Sequence, residues 1–139
     1  MKALSLWQPW ASAIFAKDHV GVVLKPDETR HWPTKVRGRI VIHAAKRRMD
    51  ADGHLMSTLL MGSMDLNHMP FGCLIGTIEI VDCVRTETVK RPHWQQVWGN
   101  YDDGRYAFVL AGPQLFETPI PYIGKQGFFN VPENLITFE

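Results

Sequence analysis

Arg39-Ile40-Val41-Ile42-His43-Ala44-Ala45 is the stretch on which the fold turns. Its residues alternate with period two, so Ile40, Ile42 and Ala44 point one way while Arg39, Val41 and His43 point the other. That is the pattern of a strand with one face in a core. Upstream, Pro9 fits the first position of a short helix that puts Trp10 and Ile14 on one face. Residues 18–35 have no periodicity and carry Gly21, Pro26 and Pro33, which predicts a long structured loop.

Downstream, the spacing of Met56, Leu60 and Met64 predicts an amphipathic helix over residues 52–64, its methionines serving as core filler. Residues 73–84 read as a long strand with a bulge or bend at Gly76. A short helix over 93–98, a strand over 105–111 and two shorter extended segments near 118–123 and 127–131 follow. Short strands punctuated by Gly and Pro favour a small, mostly antiparallel β-barrel with flanking short helices, in the α+β class, over a βαβ sheet. The 139 residues, without repeat or linker, are expected to form a single domain over 1–139.

Charge is unevenly spread. Residues 1–48 hold ten Lys/Arg against three Asp/Glu, and residues 49–139 hold five against eleven, although the whole chain is only +1. Between Arg30 and Arg48 lie seven basic residues and no acid. A solvated face could carry such a run, but like charges at this density are better explained by an anionic partner. Trp7, Trp10 and Trp32 fall in the same third, and interleaved aromatics and cations suit single-stranded nucleic acid.

Other chemistries are excluded by spacing. The six histidines stand at least eleven residues apart, so no metal ligand set is expected. No phosphate loop and no Gly-x-Ser-x-Gly elbow is present. Cys73 and Cys83 are expected to be reduced core cysteines. No apolar window reaches the length of a membrane helix, and Gln8 and Pro9 interrupt the leader-like start, so a cytoplasmic location is expected.

Lys25, Glu28 and Arg30 then stand out as a cation, a carboxylate and a guanidinium within six residues. They could form an exposed salt-bridged loop, or close around a polar ligand. On the second reading Lys25→Ala or Arg30→Ala should weaken binding with little loss of stability.

Several segments together resemble the ASCH domain family. These are Leu6-Trp7-Gln8-Pro9-Trp10-Ala11, the Lys-x-x-Glu-x-Arg spacing of Lys25, Glu28 and Arg30, and Trp32-Pro33-Thr34-Lys35-Val36-Arg37-Gly38. Residues 42–46, 104–110 and 124–129 continue the likeness. It implies a PUA-like β-barrel with the Lys-x-x-Glu-x-Arg loop lining a cleft, and RNA binding or RNA-related processing as the general activity. Two departures stand out. Val23 occupies the family's glycine position, and Glu28 stands where a deacylating branch has a threonine. The helix over 93–98 also lacks that branch's acid, so its activity is not carried over.

The leading expectation is an RNA- or nucleotide-binding module, with Trp7 or Trp32 as a stacking wall and Lys35, Arg37, Arg39, Lys46 and Arg47 as phosphate contacts. Tyr106, Lys125 and Gln126 close the far side on the resemblance alone. The alternative is a hydrolase, a ribonuclease or modified-nucleoside hydrolase, with Glu28 or His43 as base and Lys25 or Arg30 stabilising charge. A third reading is a protein-interaction module of an RNA-processing assembly. No cofactor is expected, and a divalent metal enters only with the ribonuclease reading.

Overall fold

A computed structural model describes residues 1–47 and 69–136; the methionine-rich helix expected over 52–64 lies outside them. The elements run β1 (Lys2–Leu6), α1 (Trp10–Ala13), β2 (Asp27–Arg30), β3 (Gly38–Ala44), β4 (Cys73–Arg85), α2 (His93–Gln96), β5 (Tyr106–Pro121) and β6 (Phe128–Asn130). The six strands form one sheet in the order β2-β5-β4-β3-β1-β6. Among the described residues only β1 and β3 pair in parallel; the other strand pairs are antiparallel.

The alternation read in β3 sorts its side chains as expected. Ile40, Ile42 and Ala44 join the main apolar cluster with Leu4, Leu6, Ile78, Ile80 and Phe108, while Val41 joins a second cluster with Ala3, Leu74, Phe129 and Val131. Both faces of the sheet centre are therefore covered. This explains why β4 is buried without interruption from Cys73 to Ile78 before it begins to alternate.

The sheet curls into a half-barrel. Its two edge strands, β2 and β6, share no ladder among the described residues, and side chains span the seam between them. Arg30 Nη2 donates to the Ser5 carbonyl at 3.1 Å, and the Trp32 ring meets Phe108 and Phe128 edge-on at centroid distances of 5.4 and 5.9 Å.

Two expectations change. The loop over 18–35 contains β2, whose Asp-Glu-Thr-Arg sequence has no apolar alternation and is extended because it pairs with β5. The separate strands over 105–111 and 118–123 are one 16-residue strand, β5. Gly112, Pro113 and Pro119, which read as punctuation, fall where the β4–β5 register shifts, so bulges absorb them.

At the start of the chain, buried Gln8 fixes the turn between β1 and α1. Its Oε1 accepts the Ser12 amide at 2.9 Å, and its Nε2 donates to Ser12 Oγ and the Pro70 carbonyl. That turn sets Trp7 outward, 42% exposed, and packs Trp10 against the core.

Candidate nucleic-acid interface

The half-barrel opens on a cleft of about 1650 Å³, larger than the usual site for a compact small molecule. Its floor is the loop and strand around Lys25, Glu28 and Arg30. Lys25 is 2% exposed, and its Nζ donates to the Trp98 carbonyl at 2.6 Å and to Glu28 Oε1 at 3.2 Å. Glu28 Oε2 accepts from Arg30 Nε at 2.9 Å and Nη2 at 2.8 Å. The carboxylate is thus clamped between two cations, and Arg30 in turn reaches β1 through the Ser5 carbonyl. The exposed salt-bridged loop is not what forms.

Burial alone would raise the Glu28 carboxyl, but the Lys25 ammonium and the Arg30 guanidinium outweigh it and hold the group below its ordinary range. A carboxylate so held is a strong hydrogen-bond acceptor and a poor base near neutral pH. The floor nets one positive charge. Among the described residues Arg30 Nη1 has no acceptor, and Lys25 uses two of its three donors. These donors suit a single anionic or carbonyl oxygen of a ligand.

His43 lines the cleft but belongs to the other face of the sheet, where its ring meets Phe129. Its Nε2 donates to the Tyr122 carbonyl at 2.8 Å, which leaves Nδ1 as acceptor of the Ser5 hydroxyl at 2.9 Å. Burial lowers its pKa against the opposing pull of the Tyr122 carbonyl, so the ring is kept neutral. Both nitrogens are engaged, and Gly124 lies so close that a Cβ there would stand 2.5 Å from His43 Cε1. Glu28 and His43 line the same cleft, but each is already engaged by its own partners, Glu28 by Lys25 and Arg30 and His43 by Ser5 and Tyr122.

The rim is cationic and aromatic. Lys46 and Arg47, just past the end of β3, and Lys125 and Gln126, on the connection to β6, are exposed and line the cleft. The Arg47 guanidinium stands 4.9 Å from the centroid of Trp7, and Arg30 stands 5.7 Å from that of Trp32. Of the two expected stacking residues, Trp7 presents its ring to solvent, while Trp32, which also lines the cleft, is half-buried and packs against the core.

Lys35, Arg37, Arg39 and Tyr106 do not line this cleft. Arg37 approaches Asp82, Arg39 bonds Thr77 Oγ1 and the Gly112 carbonyl, and Tyr106 lies under Arg85. The basic run is split by geometry, because the seven residues of β3 separate its two ends by roughly 20 Å. The residues not foreseen are Ser5 and Trp98, which act through backbone carbonyls and so leave no mark in the side-chain pattern. Among the described residues no group of three or more His, Cys, Asp or Glu could hold a metal ion, and no helix is long and apolar enough to cross a membrane.

Comparison with known proteins agrees with this architecture. The ASCH domain model matches residues 4–120. Activating signal cointegrator 1 of Homo sapiens and of Mus musculus are each 30% identical over 130 residues, covering 88% of this chain and 21% of theirs. The chain thus spans about a fifth of the length of these relatives. Among solved structures, ASCH from Zymomonas mobilis superposes with a TM-score of 0.56 at 17% identity, covering 96% of this chain and 88% of that one. A tyrosine-to-phenylalanine variant of the same protein gives 0.55, also at 17% identity, with coverage of 95% and 90%.

Proposed function

The chain belongs to the ASCH domain family, and from that premise we propose that its cleft binds single-stranded RNA or a nucleotide-like ligand. One observation carries the reading: among the described residues, five cations (Lys25, Arg30, Lys46, Arg47 and Lys125) and one carboxylate, Glu28, line a single cleft beside the exposed ring of Trp7. Lys46, Arg47 and Lys125 would meet phosphates, Trp7 would stack a base, and the floor would take a polar edge or an anionic oxygen. Trp32, half-buried beside Arg30, would serve as the wall behind it. The same reading groups the half-barrel with the PUA-like barrels, as the sequence resemblance implies.

The hydrolase reading has less support. Glu28 is held ionised by two cations, and His43 has no free ring nitrogen. The relatives' name, a signal cointegrator, fits the protein-interaction reading, but nothing in the cleft favours a protein over an anionic chain.

The test is fluorescence anisotropy with a labelled mixed-sequence single-stranded RNA across a salt series. With three phosphates neutralised at the rim, log K should fall against log salt with a slope of about −2, and Lys125→Ala should flatten it by about 0.7. Trp7→Ala should cost roughly 1–3 kcal/mol, about a five- to 150-fold rise in Kd. Salt-independent binding, or none, would remove the RNA reading and turn the search to a protein partner. Shortened RNA in the same samples would reinstate the hydrolase.

A further inference from the structure

Strand β2 presents Glu28 and Arg30 on one face, and by its pleat Asp27 and Thr29 on the other. Those two residues hold down a segment of chain. Asp27 is completely buried and takes Arg91 in a bidentate pair, Nε to Oδ2 at 2.7 Å and Nη2 to Oδ1 at 2.9 Å. The Tyr101 hydroxyl donates to the same Oδ2 at 2.7 Å. Thr29 Oγ1 accepts the Asn100 amide at 2.8 Å, and a Cβ on Gly99 would come within 3.1 Å of it. Residues 91–101 are therefore pinned at both ends to the reverse side of the strand that carries the charged floor. Between the pins lies Trp98, whose carbonyl receives the Lys25 ammonium.

We propose that the Asp27–Arg91–Tyr101 cluster is a positioning device for Lys25: it fixes the Trp98 carbonyl, which holds the ammonium against Glu28 and sets the donor that the cleft offers its ligand. The bidentate pair fixes the plane of the guanidinium as well as its distance, which a single hydrogen bond would not. Burial, with the Asp27 charge behind it, raises the Tyr101 pKa far above its ordinary value, so the hydroxyl remains a donor at any working pH. No member of the cluster lines the cleft, so its effect on a ligand is transmitted through the main chain of residues 97–100, which does. The consequence for binding rests on the cleft being the ligand site; the consequence for Lys25 does not.

The experiment follows Lys25 itself. Folded protein is treated with formaldehyde and a borane reductant, and methylation at each lysine is followed by mass spectrometry, with exposed Lys35 as the reference in the same molecule. Anisotropy with the mixed-sequence RNA is recorded in parallel. Arg91→Ala should raise the methylation rate of Lys25 relative to Lys35 at least tenfold and weaken RNA binding at least fivefold. Tyr101→Phe, which removes one bond of three, should move both readouts the same way by less. Arg91→Lys, with charge but no fork, should fall between Arg91→Ala and the parent. Ile80→Val, a core change on β4, should lower the melting temperature without altering Lys25, which separates positioning from general loosening.

Unchanged Lys25 methylation in folded Arg91→Ala would overturn the proposal. Should that variant not fold, unchanged methylation in Tyr101→Phe would do so. Failure of the parent protein to bind RNA would overturn the reading of the cleft alone, since the methylation comparison decides the positioning independently.

Discussion

At Glu28 two cations win against burial, and at His43 burial wins against a carbonyl, yet acid weakens both. The folded Glu28 carboxyl titrates below its unfolded counterpart, so its contribution is complete above the ordinary carboxylate range and is lost as pH falls through the folded value. The folded His43 imidazole also titrates below its unfolded value of 6.5, so its neutral form stabilises the fold at higher pH and begins to fail on acidification below about 6.5. Melting temperatures followed by circular dichroism from about pH 8 to 3 should therefore fall in two stages, His43 first. His43→Gln keeps a donor for the Tyr122 carbonyl without a titrating ring, and should flatten the first stage while sparing the second. Identical profiles for the two proteins would show that another group titrates there. The Lys25, Glu28 and Arg30 spacing was legible because charge is visible in a sequence. Their burial was not, because it depends on the carbonyls of Trp98 and Ser5, 73 residues ahead and 25 behind their donors in the chain. The expectation that Lys25→Ala spares stability changes accordingly, since it would strip a buried carboxylate of one of its two cations.

Strand β4 shows how an element takes its shape from one residue. Pairing on both sides of it skips Ile75, since Ile42 faces Gly76 while His43 faces Leu74, and the β5 register shifts at the same place. Gly76 permits this: a Cβ there would lie 2.5 Å from the Gln114 carbonyl oxygen and 2.7 Å from the Phe15 ring. Because backbone stands on one side and a packed ring on the other, Gly76→Ala should destabilise the protein by about 3 kcal/mol, measured by urea denaturation. A loss under about 0.5 kcal/mol would mean that the strands separate easily at the bulge. The glycine was readable as a bulge because an isolated glycine in an apolar strand has few other uses. By contrast β2 was hidden, since four polar residues become a strand only when β5 supplies the partner, and β5 lies 76 residues or more along the chain in every pairing.

For the whole molecule, the charge asymmetry of the sequence survives folding in reduced form. Lys46 and Arg47 reach the cleft from the end of β3, while Lys35, Arg37 and Arg39 are left away from it. Composition placed the basic excess in the first third of the chain but could not divide the run, because only the fold decides which end of a strand meets the cleft. The general architecture, short strands around a core, was legible from alternation. Its closure was not, since the seam is made by an arginine and three aromatic rings and by no ladder among the described residues.

That seam has a kinetic consequence. In the order β2-β5-β4-β3-β1-β6 the inner strands are held from two sides and the outer two from one, so the molecule should release its amide protons from the margins inward. Deuterium should enter β2 and β6 well before β3 and β4, and Arg30→Ala, by unfastening the clasp on Ser5, should quicken uptake at the end of β1 while leaving β4 at its own slow pace. A ligand gripping Arg30 would act in the opposite sense, lending the open margin the permanence that the centre of the sheet has from its neighbours.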